Sequence, residues 1–396
     1  MRGGEAVNVL FTWWDNGMFF GQAWADALVR LVIVVAFMTV TVMLLIWLER
    51  KLVARIQQRL GPTRTGPMGL LQSVADAIKL LAKEDLRPLT ADRWVFELAP
   101  FVFFVPAFLT FVVLPFTDDL GIRAGLPLGL FFIVAVSSVS IVGMLMAGLA
   151  SDSKYALLGG LRSVAQMISY ELPLVLSVLS VAVMAGTMDL REIVRAQDRV
   201  PYLVWQPLAF FIFMTAATAE LARRPFDLPV AESELVGGPH VEYSGIRWSM
   251  FMLAEYTNLL ILSAFGSVMF LGGYAWPFGL DWGWPWQVAL TFVKTTLLIV
   301  VFMWIGATFP RLRIDQLMAY AWKALIPLSF LQVLLTGLVK VYGWPDITIT
   351  IPSALALVVS AAVVRKRLRY TVRRPREERL AYLRARAAAR AAGSVQ

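Results

Sequence analysis

The sequence predicts an all-α, polytopic transmembrane bundle of about nine spans, and three observations carry that expectation. Of 396 residues, 59% are hydrophobic and only 16% charged, against roughly a quarter charged in a soluble globular chain. Apolar runs repeatedly reach about 20 residues, enough for a helix to cross about 30 Å of hydrocarbon. The alternating segments of about 10 residues that build a transmembrane β-barrel are missing from the sequence.

The expected spans are 27–48, 95–116, 127–150, 162–186, 202–222, 247–273, 287–308, 320–341 and 347–364. The first 17 residues, MRGGEAVNVLFTWWDNG, lack a basic stretch running directly into an apolar one, and the first apolar run begins near Ala27. A cleaved signal peptide is therefore not expected. Between spans one and two lies MGLLQSVADAIKLLAK, which reads as an amphipathic helix that does not span. Leu70, Leu71, Val74, Ala77, Ile78 and Leu81 share one face at helical spacing; Gln72, Asp76, Lys79 and Lys83 share the other. It is expected along the cytoplasmic membrane surface or against a partner protein, and the two are compatible.

Loop charge orients the spans. The 49–94 segment, the flanks of 151–162, 222–247 and 309–323, and the C-terminal tail are rich in Arg and Lys; the alternate connections are not. Strict alternation then places the N-terminus outside and the tail in the cytoplasm. The outer connection WPFGLDWGWPW (276–286) holds Trp276, Trp282, Trp284 and Trp286, as an interfacial aromatic belt does. Two units follow: a membrane domain, 1–364, and a basic cytoplasmic tail, 365–396. The tail holds eleven Lys/Arg and two acids, so it accounts for the whole net charge of +9 and leaves the remainder neutral. Contact with anionic lipid explains such a tail, and nucleic acid is not implied.

The chain has no cysteine, which excludes disulfides and thiolate-ligated iron–sulfur or zinc sites. A single histidine, His240, cannot supply a bis-histidine haem, and no metal site is expected. No GxGxxG or P-loop spacing occurs. Any redox cofactor must belong to another subunit.

Charged residues inside the spans are the functional signal. Glu171 (ISYELPLVL), Glu220 (TAATAELARR) and Glu255 (FMLAEYTNLL) sit in apolar surroundings, with Tyr170 and Tyr256 beside two of them. A charge near the bilayer centre costs about 3 kcal/mol on insertion scales, so such residues face a bundle interior or a wet cavity. They suggest a proton relay, with helix–helix hydrogen bonding as the structural alternative. Glu220 lies near a helix end. Lys294, a third of the way into span seven, is expected to snorkel outward. The segment FDLPVAESELVGGPHVEY (226–243) carries Asp227, Glu232, Glu234 and Glu242, no base, and His240.

Four stretches resemble one family in order along residues 30 to 340. ERKLVARIQQRLGPTRTGPMGLLQSVADAIKLLAKED (49–85) resembles the first cytoplasmic loop of the quinone-site membrane subunit of respiratory complex I. This is the family of H subunits, or NADH dehydrogenase subunit 1 proteins, of the proton-pumping NADH:quinone oxidoreductases. SKYALLGGLRSVAQMISYEL (153–172), ELARRPFDLPVAESELVGGPHVEYSGIRW (220–248) and PRLRIDQLMAYAWKALIPLSF (310–330) resemble later stretches of the same family. The resemblance implies a bacterial inner-membrane subunit that anchors a hydrophilic arm bearing flavin and iron–sulfur clusters. It implies no cofactor on this chain, quinone as substrate, and partners in both arms. It carries a quinone-chamber role to Glu49, Arg50, Asp76, Lys79, Arg223, Asp227, Glu232, Glu234 and Glu242. It carries a proton-relay role to Glu171, Glu220, Glu255 and Tyr256. The acidic loop reads equally as a docking surface for basic partners.

Departures from the family pattern fall near the site. Val230 replaces the usual acid of LPEAE. Thr63, Gly306, Pro239 and Ile314 stand where Asn, Arg, an aromatic and Tyr are common, and Ser138 where some relatives carry Glu. Two other functions stay open: the equivalent anchor of a hydrogenase or F420-type dehydrogenase complex, and a free-standing proton-coupled transporter.

Overall fold

Backbone donors and acceptors find no partner in lipid, so apolar segments of this chain must close their hydrogen bonds internally as helices. The computed structural model describes residues 23–118, 126–230, 232–275, 283–360 and 362, with only the backbone for 23–27, 30, 232 and 233. The N-terminal segment before 23, Trp276, Trp282 and the basic tail lie outside the described residues.

The helices are, in order, α1 (Ala23–Ile56), α2 (Gln72–Ala82), α3 (Arg93–Phe111), α4 (Gly129–Ala150), α5 (Lys154–Ala185), α6 (Leu190–Ala196), α7 (Tyr202–Trp205), α8 (Pro207–Glu220), α9 (Glu232–Leu235), α10 (Gly245–Phe270) and α11 (Trp284–Thr308). Then come α12 (Ile314–Val341), which contains a π-helical turn at Ala321–Leu325, and α13 (Ile347–Ser360). Among the described residues, seven are long and apolar enough to cross a membrane: α1, α3, α4, α5, α10, α11 and α12. The apolar helices α8 and α13 are shorter. Each of the nine expected segments therefore contains an apolar helix, and the chain is an integral membrane protein.

The expected fifth span, 202–222, is not continuous. Gln206 leaves the helical region (φ −127°, ψ 61°) and separates α7 from the 14 residues of α8, about 21 Å of helix. Pro207 is the reason: its ring disfavours helical geometry in the residue before it. The break turns the Gln206 side chain into a buried tie, accepting from Ser180 Oγ at 2.9 Å and donating to Thr336 Oγ1 at 3.3 Å. One short helix is thereby fastened to both α5 and α12.

The loops sort into two ends of the bundle through their contacts. At one end, Arg50 pairs with Asp76 at 2.6 Å, Arg247 with Asp85 at 3.2 Å, and the Leu312 amide donates to the Pro225 carbonyl at 3.0 Å. At the other, Asp118 meets Arg195 and Tyr274. These are the two loop sets that charge alternation separates. Leu71, Ile78 and Leu81 on the amphipathic α2 stay exposed, as a helix awaiting lipid or a partner requires. Trp284 and Trp286, at the start of α11, are exposed in the same way.

Lys294 does not snorkel. Its Nζ donates to the carbonyls of Leu271 at 2.7 Å, Gly273 at 2.9 Å and Ala275 at 2.7 Å. An ammonium has three donors, and here one serves the C-cap of α10 and two the turn that follows, where the helix dipole also favours a cation.

Candidate functional site: a charged cavity at the loop end

Two glycines let the acidic loop fold back on the bundle. Gly238 has φ 58°, and a Cβ there would lie 2.0 Å from the Pro229 carbonyl oxygen. On its other side, a Cβ on Gly159 of α5 would lie 2.5 Å from the Gly238 Cα. The turn 238–240 is thus wedged between α5 and the 229–230 backbone, as only glycine permits. Gln166 of α5 fixes the start of the loop by donating to the Ala219 carbonyl at 2.7 Å and the Phe226 carbonyl at 2.8 Å. Tyr243 fixes its end by stacking on Phe96 of α3, ring centroids 4.1 Å apart.

Held this way, the loop roofs a cavity of about 750 Å3. Glu49, Val53 and Gln57 from α1 and its C-terminal extension form one wall, and Met252, Glu255 and Tyr256 from α10 another. Arg223, Arg224, Asp227, Val230 and His240 come from the loop, and Met303 and Ala307 from α11. Such a volume suits a ring-sized ligand with part of an apolar chain.

The charges are arranged in layers. Arg223 pairs with Glu49 at 2.9 Å and lies over the Tyr256 ring, its guanidinium carbon 5.2 Å from the centroid. Asp227 accepts from Arg311 at 2.7 Å and faces Arg224 at 3.8 Å. Burial pushes the Asp227 carboxyl above its ordinary value, against the pull of those two arginines. His240 is buried, its Nε2 3.4 Å from Glu255 Oε1 and its ring 4.8 Å from that of Phe251. Neither of its ring nitrogens makes a hydrogen bond, and Glu49 Oε2 is likewise buried and unpartnered. Buried polar groups are usually hydrogen-bonded, and the chain leaves others open away from the cavity, Arg191 Nε and Ser263 Oγ among them.

The residues expected at the site fall into three groups. Glu49, Arg223, Asp227, Glu255 and Tyr256 line the cavity together. Arg50, Asp76 and Lys79 form a separate ion cluster where α2 meets α1. Burial opposes the charge on Asp76, but hydrogen bonds from Arg50 and Gln72 overcome it and hold the carboxyl below its ordinary value. Glu234 pairs with Arg162 at 2.8 Å, and neither it nor Glu242 lines the cavity. The Glu232 side chain lies outside the described residues. Glu171 accepts from Ser138 Oγ, and Glu220 keeps a buried, unpartnered Oε2 at the end of α8. These two acids interact electrostatically, and Pro173, two residues after Glu171, withdraws an N–H from the α5 ladder. His240 is the cavity residue that spacing and burial cost do not single out. Its uniqueness in the chain, inside an otherwise acidic loop, is the available signal.

A bundle of apolar helices, with a ring-sized cavity under a loop that mixes acids and arginines, defines an integral membrane protein with a charged cavity at one end of its spans. The profile of the NADH dehydrogenase family matches residues 29–337. The chain is 46% identical to the H subunit of NADH-quinone oxidoreductase from Dehalococcoides mccartyi, over 86% of this chain and 94% of that one. It is 49% identical to the protein of the same name from Geobacillus kaustophilus, over 83% and 96%, and 47% identical to that of Brevibacillus brevis, over 83% and 95%. The chain belongs to the NADH dehydrogenase family of membrane subunits, the family of subunit 1 and its bacterial H-type equivalents.

Proposed function

We propose that the chain is the H-type membrane-arm subunit of a proton-pumping NADH:quinone oxidoreductase, and that its cavity is its share of the quinone chamber. The observation that carries this is the cavity itself, where Glu49, Arg223, Asp227, Glu255 and Tyr256 converge beneath the acidic loop. The names of the relatives agree with it. A quinone needs an apolar path for its isoprenoid tail and polar groups for its carbonyls. Val53, Met252, Met303 and Ala307 are suited to the first, and the Glu49–Arg223 pair and Tyr256 to the second.

Electrons arrive from flavin and iron–sulfur clusters in partner subunits of the hydrophilic arm. That arm docks on the charged loops, with the Arg50–Asp76–Lys79 cluster and the exposed apolar face of α2 at its edge. The loops then face the cytoplasm of a bacterial inner membrane, with the N-terminus outside and the 365–396 tail inside as a separate basic unit. Glu171 and Glu220, joined by their mutual field, take protons from the chamber towards the rest of the membrane arm. Quinone reduction changes the electrostatic field around Glu49, Arg223 and Asp227, and the relay acids respond by taking up or releasing protons.

The test is photolabelling of the intact complex with a photoreactive quinone. Peptides covering 49–57, 221–230 and 252–256 should carry the label, in competition with unmodified quinone. Label confined to other subunits would overturn the assignment.

A further inference from the structure

We propose that the cavity selects a naphthoquinone, in which a benzene ring is fused to the quinone ring, over a benzoquinone that carries alkoxy groups. This rests on the reading of the cavity as part of the quinone chamber and names the class of quinone that it takes. Selection by ring shape and polarity does not depend on where in the complex the ring receives its electrons.

The first support is a recess in the wall. Met303, Gly306 and Ala307 stand at i, i+3 and i+4 on α11, so they share one face, and all three line the cavity. A Cβ on Gly306 would meet nothing nearer than the Arg224 carbonyl oxygen, at 3.7 Å. At Gly159 and Gly238 the same addition runs into backbone at 2.5 and 2.0 Å. Neither its neighbours nor a positive φ requires glycine at 306, although glycine inside a helix costs stability. With only a methyl on Ala307, this stretch of helix is nearly bare, and a flat ring can lie on it at van der Waals distance.

The second support is the chemistry of the wall. Val53, Val230, Met252 and Met303 line the cavity with apolar atoms and offer no side-chain donor. Thioethers make favourable contacts with aromatic rings. A fused benzene ring loses nothing there, whereas alkoxy oxygens would leave water without a partner.

The third is the place of the donors. Glu49, Arg223 and Tyr256 form one group, with Arg223 paired to Glu49 and lying over the Tyr256 ring. Val53 follows Glu49 by one turn of α1, and Met252 precedes Tyr256 by one turn of α10. The loop end holds the C-terminus of α1 and the N-terminus of α10, so both apolar residues lie one turn nearer that end. Of the remaining lining cations, Arg224 faces Asp227, and Arg59 is exposed and donates from Nε to Gln57. A ring whose polar atoms are only its carbonyls fits this layering: one carbonyl meets the donors and the apolar edge meets the recess.

The experiment uses the whole complex in phospholipid vesicles and compares wild type, Gly306→Leu and Val230→Thr. KM and kcat are measured for a naphthoquinone and a dimethoxybenzoquinone with equal side chains, at known concentrations in the lipid phase. KM is the readout, because the two rings differ in driving force. Wild type should show a KM about tenfold lower for the naphthoquinone. Gly306→Leu fills the recess and should remove most of that preference by raising the naphthoquinone KM. Val230→Thr keeps the shape and adds a donor, so it should lower the benzoquinone KM several-fold. Equal wild-type KM values, or a lower one for the benzoquinone, overturn the proposal. A ratio unchanged in both variants also overturns it, and if Gly306→Leu does not assemble, Val230→Thr decides alone. Photolabelling of the same preparation separates the two failures. Label on 221–230 and 252–256 without a KM preference removes the selectivity and leaves the chamber standing. Label absent from both peptides removes the chamber reading and the proposal with it.

Discussion

The two ends of the bundle satisfy their charges to different degrees. At the end away from the cavity, Asp118 is held by Nε and Nη2 of Arg195, at 3.0 and 2.9 Å, and by the Tyr274 hydroxyl at 2.9 Å. Lys294 spends its three donors on three carbonyls. At the cavity end, Glu49 Oε2 and both His240 nitrogens are buried without a hydrogen bond, and Glu220 Oε2 is left in the same state nearby. An unmade hydrogen bond to a buried group costs about 1–3 kcal/mol. The far end is not free of such costs, since Arg191 Nε is also buried without a partner, but at the cavity end several of the open groups line a cavity, where a ligand or mobile protons can use them. Charge within a span is therefore not by itself a sign of function; unspent bonding capacity beside a cavity is.

That contrast can be broken from either side. The largest effect should come from Arg223→Met, which strips Glu49 of its partner at the cavity wall. Quinone turnover should fall about tenfold or more, in assembled complex. Next, Glu171→Gln and Asp227→Asn should each lower quinone-coupled turnover several-fold without blocking assembly. Wild-type rate and pumping in both would remove these residues from the site. Lys294→Met should do the reverse: it leaves three carbonyls without their donor and should destabilise the protein by about 1–3 kcal/mol. A lowered unfolding temperature at unchanged turnover per assembled complex is the expected result.

The smallest effect belongs to Asp118. Its hydrogen bonds from Arg195 lower its folded-state titration below the unfolded value. The pair's contribution is thus fully present above the unfolded value of about 4 and is lost as pH falls through the lower folded one. Because Arg195 is largely exposed and Asp118 is more than a third exposed, Asp118→Asn should cost less than about 1 kcal/mol at neutral pH and nothing at strongly acid pH. Truncation after Val364 should leave quinone activity intact; failed assembly would assign the tail a docking role.

Much of this is legible in the sequence. Apolar runs of about 20 residues can hardly be anything but helices in lipid, so all nine segments are recoverable. Loop charge separates the same two loop sets that contacts join. Glu49, Arg223 and Asp227, read as chamber residues, and Glu255 and Tyr256, read as relay residues, line one cavity. What fails is local or long-range in a specific way. Pro207 marks the break at Gln206, but a hydropathy window averages over a single proline. Lys294 reads as snorkelling because nothing in its own helix announces the open end of α10, about twenty residues earlier in the chain. Arg50, Asp76, Lys79 and Glu234 group with the cavity by motif, whereas their ion pairs turn them elsewhere. His240 escapes because its role is defined by the space around it.

The central claim is that the cavity beneath the acidic loop takes the quinone. A structure of the assembled complex with bound quinone tests it most directly. The headgroup or the first part of its tail should lie against Glu49, Arg223, Glu255 and Tyr256, within reach of His240. A quinone bound wholly elsewhere, with this cavity filled by a partner's side chains, would contradict the account.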